Sequence, residues 1–224
     1  MNLKEHALTF LRKYKHGWVF LYFFIYMPWF VYLENRSNEI RHFIIESPLD
    51  KYIPFCEFFI IPYLLWFALM ICVGLYFFLT DKKGFYKLII FLYSGMTLFL
   101  IISTFFPNGQ ALRPYTFARD NIFVDIVKQL YRTDTPTNVL PSIHVFNTLG
   151  ILSAVKYSPA LKKHKLATGF IYVLSALIIL ATMFLKQHSV TDVVAAFALA
   201  AVMHVLVYVV QYQKAPTLTK QPIR

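Results

Sequence analysis

Charge is what this chain most lacks. Only 15% of its 224 residues are Asp, Glu, Lys or Arg, while 58% are apolar and 18% aromatic. Soluble domains run at about 25% charged and roughly 45–50% apolar, so a water-soluble globule is excluded. Carboxylates number 11 and gather nowhere. That leaves no cluster to hold a catalytic Mg²⁺ and points to metal-independent chemistry. The two cysteines, Cys56 and Cys72, stand 16 residues apart, roughly 24 Å along a continuous helix, too far to bridge within it. No C-x-x-C or Cys/His spacing marks a redox or metal site. No linker and no internal repeat divides the chain.

What the chain has instead is long uncharged runs. They cover Gly17–Leu33, Phe58–Thr80, Leu88–Phe106, Val139–Val155, Leu166–Leu185 and Val193–Gln213. A membrane span takes about 20 apolar residues, roughly 17–25, and all six reach or approach that. The first run follows a basic stretch as a signal peptide would, but no small-residue cleavage site follows Tyr32. Pro28, Trp29 and Tyr32 suit an interfacial helix end, so this run reads as an uncleaved first span. The expectation is an all-α protein, a six-transmembrane helical bundle forming one domain over residues 1–224.

Basic residues orient the bundle. With the N-terminus inside, the inner segments hold Lys4, Arg12, Lys13 and Lys15, then Lys82, Lys83 and Lys87, then Lys156, Lys162, Lys163 and Lys165, then Lys214, Lys220 and Arg224. These outnumber the outer basic residues, which places both termini in the cytoplasm. The net charge of +11 then serves topology and attraction to anionic lipid headgroups. Nucleic acid is excluded as a partner, because the inner charges are split among four short segments.

The outer connections carry more than polarity. Residues 37–50, SNEIRHFIIESPLD, mix apolar and charged positions. Residues 118–132, ARDNIFVDIVKQLYR, place Ile122, Phe123, Ile126, Val127 and Leu130 on one helical stripe. Such a helix suits the headgroup level, either as interfacial packing or as a lid over a lipid site. Topology brings three further segments to the same face: NGQALRPYT with Arg113, the opening VLPSIHVFN of the fourth span, and KQHSVTDV between the fifth and sixth.

Their residue types suit phosphoryl transfer. His188 and Asp192 stand at i and i+4, so on a helix they share a face. A carboxylate on one ring nitrogen sets the tautomer and leaves the other free to attack. His144 supplies a general acid for a departing alkoxide. Arg113 and Lys186 offer positive charge, and the N–H groups around Ser142, behind Pro141 at the helix start, offer anion donors. Asn147 is placed either to steady His144 or to bond another helix. His204, about three turns beyond Asp192, reads as packing or a headgroup contact.

In order and placement these blocks resemble the type 2 phosphatidic acid phosphatase superfamily, which also includes soluble bacterial acid phosphatases and vanadium haloperoxidases. Its signature runs K-x6-RP, PSGH and SR-x5-H-x3-D. Here Arg113-Pro114, Pro141-Ser142-Ile143-His144, and His188 with Asp192 stand for the three blocks, over roughly residues 50–210. The departures are Phe106 for the Lys, Ile143 for the Gly, and Ala181-Thr182 for the Ser-Arg pair. Two expected cations are therefore absent, and Lys186 is placed to restore one. The pattern is similar to the branch containing inositol phosphorylceramide synthase, and fewer cations suit a phosphodiester.

The resemblance implies that His188 attacks phosphorus, Asp192 orients it, and His144 moves the proton. It further implies that Arg113, Ser142 and Lys186 hold the phosphoryl oxygens. The expected protein is a membrane lipid phosphatase, with no cofactor and no metal, acting on a lipid phosphate at the outer membrane face. The alternatives are a phosphotransferase moving a phospholipid headgroup to a lipid alcohol, or a non-catalytic lipid-binding or transport protein. The retained His–His–Asp set argues against the last, since a binder needs no nucleophile. Short loops and lysine-rich ends point to a bacterial inner (plasma) membrane.

Overall fold

The computed structural model describes residues 12–36 and 39–210. Lys4, Lys214, Lys220 and Arg224, both termini, Ser37 and Asn38, and the last residues of the Val193–Gln213 run lie outside them. A 3₁₀ helix, Lys15–Tyr22, leads into α1, Phe23–Arg36, which carries Pro28. Then come α2, Ile60–Thr80, and α3, Lys82–Phe105, joined by a turn in which the Asp81 carboxylate accepts from Gly84 N–H. After α4, Ile122–Thr133, the chain forms α5, Ile143–Tyr157, a short α6, Pro159–Lys163, and α7, Lys165–Phe184. Helix α8, Val190–His204, ends in a π turn, Val205–Val209. Apolar runs become helices because a helix satisfies its own backbone groups where no water is available.

Five helical stretches of the described residues are long and apolar enough to cross a membrane: Lys15–Arg36, Glu57–Thr80, Lys82–Phe105, Lys165–Phe184 and Val190–Val209. The protein is an all-α membrane bundle. The sixth expected span departs from this pattern. Val139–Ser142 is not helical, and α5 has 15 residues, about 22 Å against a hydrocarbon core of roughly 30 Å. Its surroundings explain why it need not face lipid along a full span. Helix α5 packs on α2, α3, α7 and α8, and Val145, Phe146, Ile151 and Val155 are wholly buried. Close approach to α3 depends on Gly95, where a Cβ would fall within the Phe146 ring. Phe146 cannot retreat, because it stacks on Phe91 with centroids 4.8 Å apart. Near the other end of α5, His204 Nδ1 meets Ser153 Oγ at 2.9 Å, so the expected packing role of His204 takes the form of a bond between α8 and α5.

The connections at one end of the bundle are stitched together. Strands β1, Phe43–Ile44, and β2, Asn108–Gly109, pair in parallel, and Gly109 bridges to Thr137. A Cβ at Gly109 would sit 2.8 Å from the Pro136 carbonyl oxygen, so this crossing needs glycine. Asn108 is wholly buried. Its Oδ1 accepts from Val139 and Leu140 N–H, both at 2.9 Å, and its Nδ2 donates to Phe106 carbonyl at 2.8 Å. One side chain thus fixes the approach to α5.

The amphipathic segment expected over 118–132 is α4, capped by Asn121, whose Oδ1 accepts from Phe123 and Val124 N–H. Its buried face differs from the expected stripe. Val124 and Val127 are buried, whereas Ile122 is 68% and Ile126 36% exposed. The difference arises because α4 packs through Phe123, Val127, Leu130 and Tyr131 on Ile60, Tyr63, Ala181 and Leu185. Phe123, Val127 and Leu130 of the stripe thus pack on α2 and α7, while Ile122 and Ile126 stay exposed.

Candidate active site

Helix α5 begins beneath that stitched end and brings His144 to it. The His144 ring lies 4.8 Å from the Tyr63 ring and 4.6 Å from the Trp66 ring, both on α2. Ser142 is the N-cap of α5, wholly buried, with Oγ accepting from Val145 N–H at 3.4 Å. This revises the expected local arrangement. Pro141 does not start the helix but precedes its cap, and the Ser142 oxygen serves its own helix end. Ser142 N–H donates to the Asp192 carbonyl at 3.3 Å, which ties α5 to α8.

His188 and Asp192 also meet differently from the expectation of one shared helix face. His188 lies before α8, whose N-cap is Ser189. Asp192 is the fourth residue of a capping box S-V-T-D, and its Oδ2 accepts from Ser189 N–H at 2.9 Å. The same oxygen is 3.4 Å from His188 Nδ1. The pairing survives because a capping box turns its carboxylate back past the helix start. Asp192 is wholly buried, so its charge is poorly screened.

The two histidine rings have centroids 5.9 Å apart, within the span of one phosphoryl group approached at about 3 Å from each side. Both line a cavity of about 350 Å³ with Glu34, Tyr63, Trp66, Asp134 and Gln187. Leu130 and Thr133 close it from α4, so that helix roofs part of the site. Glu34 accepts from Thr135 Oγ1 at 2.6 Å and Asn138 Nδ2 at 3.0 Å. Asp134 accepts from the Tyr63 hydroxyl at 3.2 Å. Burial holds the Asp134 carboxyl above its ordinary pKa, against the lowering influence of His188 and Arg113.

Arg113 and Lys186 stand behind the cavity wall rather than on it. The Arg113 guanidinium donates to the Tyr131 carbonyl at 3.1 Å and to Gln187 Oε1, and lies over the Tyr131 ring at 4.5 Å. Lys186 Nζ donates to the Asp50 carbonyl at 2.9 Å and to the Ile53 carbonyl. Desolvation lowers the pKa of both bases. Asn147, expected either to steady His144 or to bond another helix, leaves its buried Oδ1 without a partner.

Three residues outside the sequence reading complete the site. Gln187 is 3% exposed, lines the cavity, and its Nε2 has no protein partner. It is a ready donor for a ligand oxygen, held by Arg113. Asp50, also buried, accepts at Oδ2 from Ser189 Oγ at 2.6 Å and at Oδ1 from Val190 N–H at 2.8 Å. It therefore clamps the start of α8, immediately after His188. The signal for Asp50 was legible: Ser47–Asp50, SPLD, is a second capping box of the S-x-x-D form. Asn108 carried no local signal for this role, since the Val139 and Leu140 N–H groups that its Oδ1 accepts from lie 31 and 32 residues away.

Two histidines on one cavity, one of them backed by a buried carboxylate, are a phosphoryl-transfer constellation. The PAP2 superfamily matches residues 87–216, more than half of the chain, a range that holds Arg113, Ser142, His144, Lys186, His188 and Asp192 but not Glu34, Asp50, Tyr63 or Trp66. The chain belongs to the PAP2 superfamily. No curated protein matches it, and no solved structure does. Membership carries a phosphatase- or phosphotransferase-type activity on phosphorylated substrates. In this PAP2 member the order of blocks becomes a physical assembly: α5 brings His144, the α7–α8 connection brings His188, and Asp192 joins them through Ser142.

Proposed function

We propose that the protein is a membrane-embedded lipid phosphatase working through a phosphohistidine at His188. The observation that carries this reading is that His144 and His188 share one cavity while Asp192 stands against His188 Nδ1. Nε2 of His188 is then the attacking atom. It forms a bond to phosphorus as the phosphorus–oxygen bond to the lipid alcohol breaks. His144 gives its proton to the departing oxygen, then takes one from the incoming water, which releases phosphate and restores His188. Gln187 Nε2 and the first N–H groups of α5 hold phosphoryl oxygens. Ser142 shapes that helix start, and Arg113 and Lys186 add positive charge from behind the wall. Because the nucleophile and the acid are histidines, the reaction needs no metal.

The lysine-bearing turns at Lys82–Lys87 and Lys156–Lys165 lie at the opposite end of the bundle from the cavity. With the positive-inside rule this supports a site on the outer face with both termini cytoplasmic, in what we take to be a plasma membrane. A second reading has its own support. Glu34 and Asp134 line the cavity, while no Lys or Arg among the described residues does. A dianionic monoester is repelled more strongly there than a monoanionic phosphodiester. This favours headgroup transfer to a lipid alcohol, as in the inositol phosphorylceramide synthase branch.

The test is phosphate release from a panel of lipid phosphates by purified protein with chelator present, beside His188→Ala. Release by the parent alone supports the phosphatase. Failure of every monoester, with a new phosphodiester formed when a lipid alcohol is added to a phospholipid, selects the transferase. Lipid binding retained by both proteins, with neither reaction, would leave only a binding protein.

A further inference from the structure

An apolar groove runs from the histidine cavity along the bundle between α1, α2 and α3, with a volume of about 660 Å³. It adjoins the polar cavity, with Tyr26, Trp66, Phe67 and Ile143 lining both. Its walls on α2 run from Trp66 to Phe78, about 18 Å of helix axis. One leaflet of a bilayer is about 15 Å of hydrocarbon. Two residues set the groove apart from an ordinary lipid-facing furrow. Gly74 lines it midway, and a Cβ there would meet nothing within 4 Å, so the space beside it is open. Asn147 lines it near the cavity, is 3% exposed, and keeps a buried Oδ1 with no protein partner. An unpaired amide oxygen in apolar surroundings is costly unless a ligand supplies the bond.

We propose that this groove holds one hydrocarbon chain of the lipid whose phosphate meets His188, with Asn147 bonding a hydroxyl or amide of the lipid backbone. The assignment rests on the lipid-phosphate reading above. Asn147 follows His144 by three residues, about 4.5 Å deeper along α5. That depth separates a phosphate from the first polar group behind it, and the remainder of the chain lies along Gly74. Substrate choice then depends on chain length and on a hydrogen-bonding backbone, not on the phosphate alone.

The experiment uses hexadecyl phosphate carrying a photoreactive diazirine at its chain end, with the full-length protein in detergent, and maps the labelled residues. Labelling is expected on α2 and the Lys15–Tyr22 helix around Gly74. Gly74→Phe fills the groove and should cut that labelling at least tenfold. It should also lower kcat/KM for hexadecyl phosphate at least tenfold while sparing butyl phosphate, since each two buried methylenes are worth roughly tenfold. Ile71→Trp, at a 66% exposed position on the groove rim, should act in the same direction and guards against a folding defect in the first variant. Asn147→Leu should reduce the preference for an N-acyl amino-alcohol phosphate over hexadecyl phosphate to within about twofold, relative to the parent. Labels scattered over all lipid-facing helices, or a chain-length profile unchanged in both groove variants, would overturn the proposal. Groove labelling without phosphate release would instead sink the phosphatase reading and leave the chain site standing.

Discussion

Asp50 offers the sharpest test of how the site is held. Its carboxylate accepts three bonds: Ser47 N–H at 2.7 Å, Ser189 Oγ at 2.6 Å and Val190 N–H at 2.8 Å. Replacing it with Ala leaves these donors without their acceptor at a buried junction. A net loss of about 1 kcal/mol for each bond sums to about 3 kcal/mol. For a chain of this size, 1 kcal/mol shifts Tm by about 2–4 °C, so Asp50→Ala should unfold about 6–12 °C lower. Asp50→Asn keeps one acceptor oxygen and should lose roughly half as much. Thermal unfolding in detergent reads the total. Amide hydrogen exchange at Ser47 and Val190 localises it, since opening should concentrate where the bonds were lost. His188 sits immediately before the released turn, so phosphate turnover should fall more than stability does. A Tm within about 1 °C of the parent, with exchange at Val190 unchanged, would refute the clamp.

Three further outcomes follow from the same geometry. Asp192→Asn preserves an acceptor for Ser189 N–H but removes the charge facing His188 Nδ1, so kcat should fall by about 10²–10⁴-fold with Tm little altered; an unchanged kcat would dismiss its orienting role. Gly95→Ala drives a methyl into the buried Phe146 ring and should cost about 1–3 kcal/mol, read as a lower Tm and partly recovered by Phe146→Leu. Burial raises the Asp134 pKa above its unfolded value, so the folded state holds this proton more tightly. Stability from this group is therefore present below the unfolded pKa, about 3.9, and lost as pH rises through the raised folded value. Asp134→Asn should flatten that part of the Tm-against-pH curve and leave the variant relatively more stable at neutral pH; an unchanged slope would contradict it.

The sequence by itself determined the solvent of this protein and pointed to phosphoryl-transfer chemistry. Uncharged runs of near 20 residues admit little besides membrane helices, because burial of their backbone requires internal hydrogen bonds. His144, His188 and Asp192 were legible for a similar reason: a polar group is costly among apolar residues unless it has a task. Local pattern could also locate both S-x-x-D caps, although only the structure places Asp50 of the first against Ser189 of the second.

Tertiary structure decided the rest, because the deciding contacts join residues far apart in the chain. Whether α5 spans on its own cannot be read from its hydropathy, since burial among four helices and exposure to lipid favour the same side chains. Arg113 and Lys186 read as phosphate ligands from charge alone, yet their partners are Tyr131, Gln187 and the carbonyls of Asp50 and Ile53. Gln187 became a candidate ligand only because Arg113 takes its oxygen and leaves its nitrogen facing the site. The groove past Gly74 is likewise a property of several helices together: a glycine in a helix says nothing about space until its neighbours are in place.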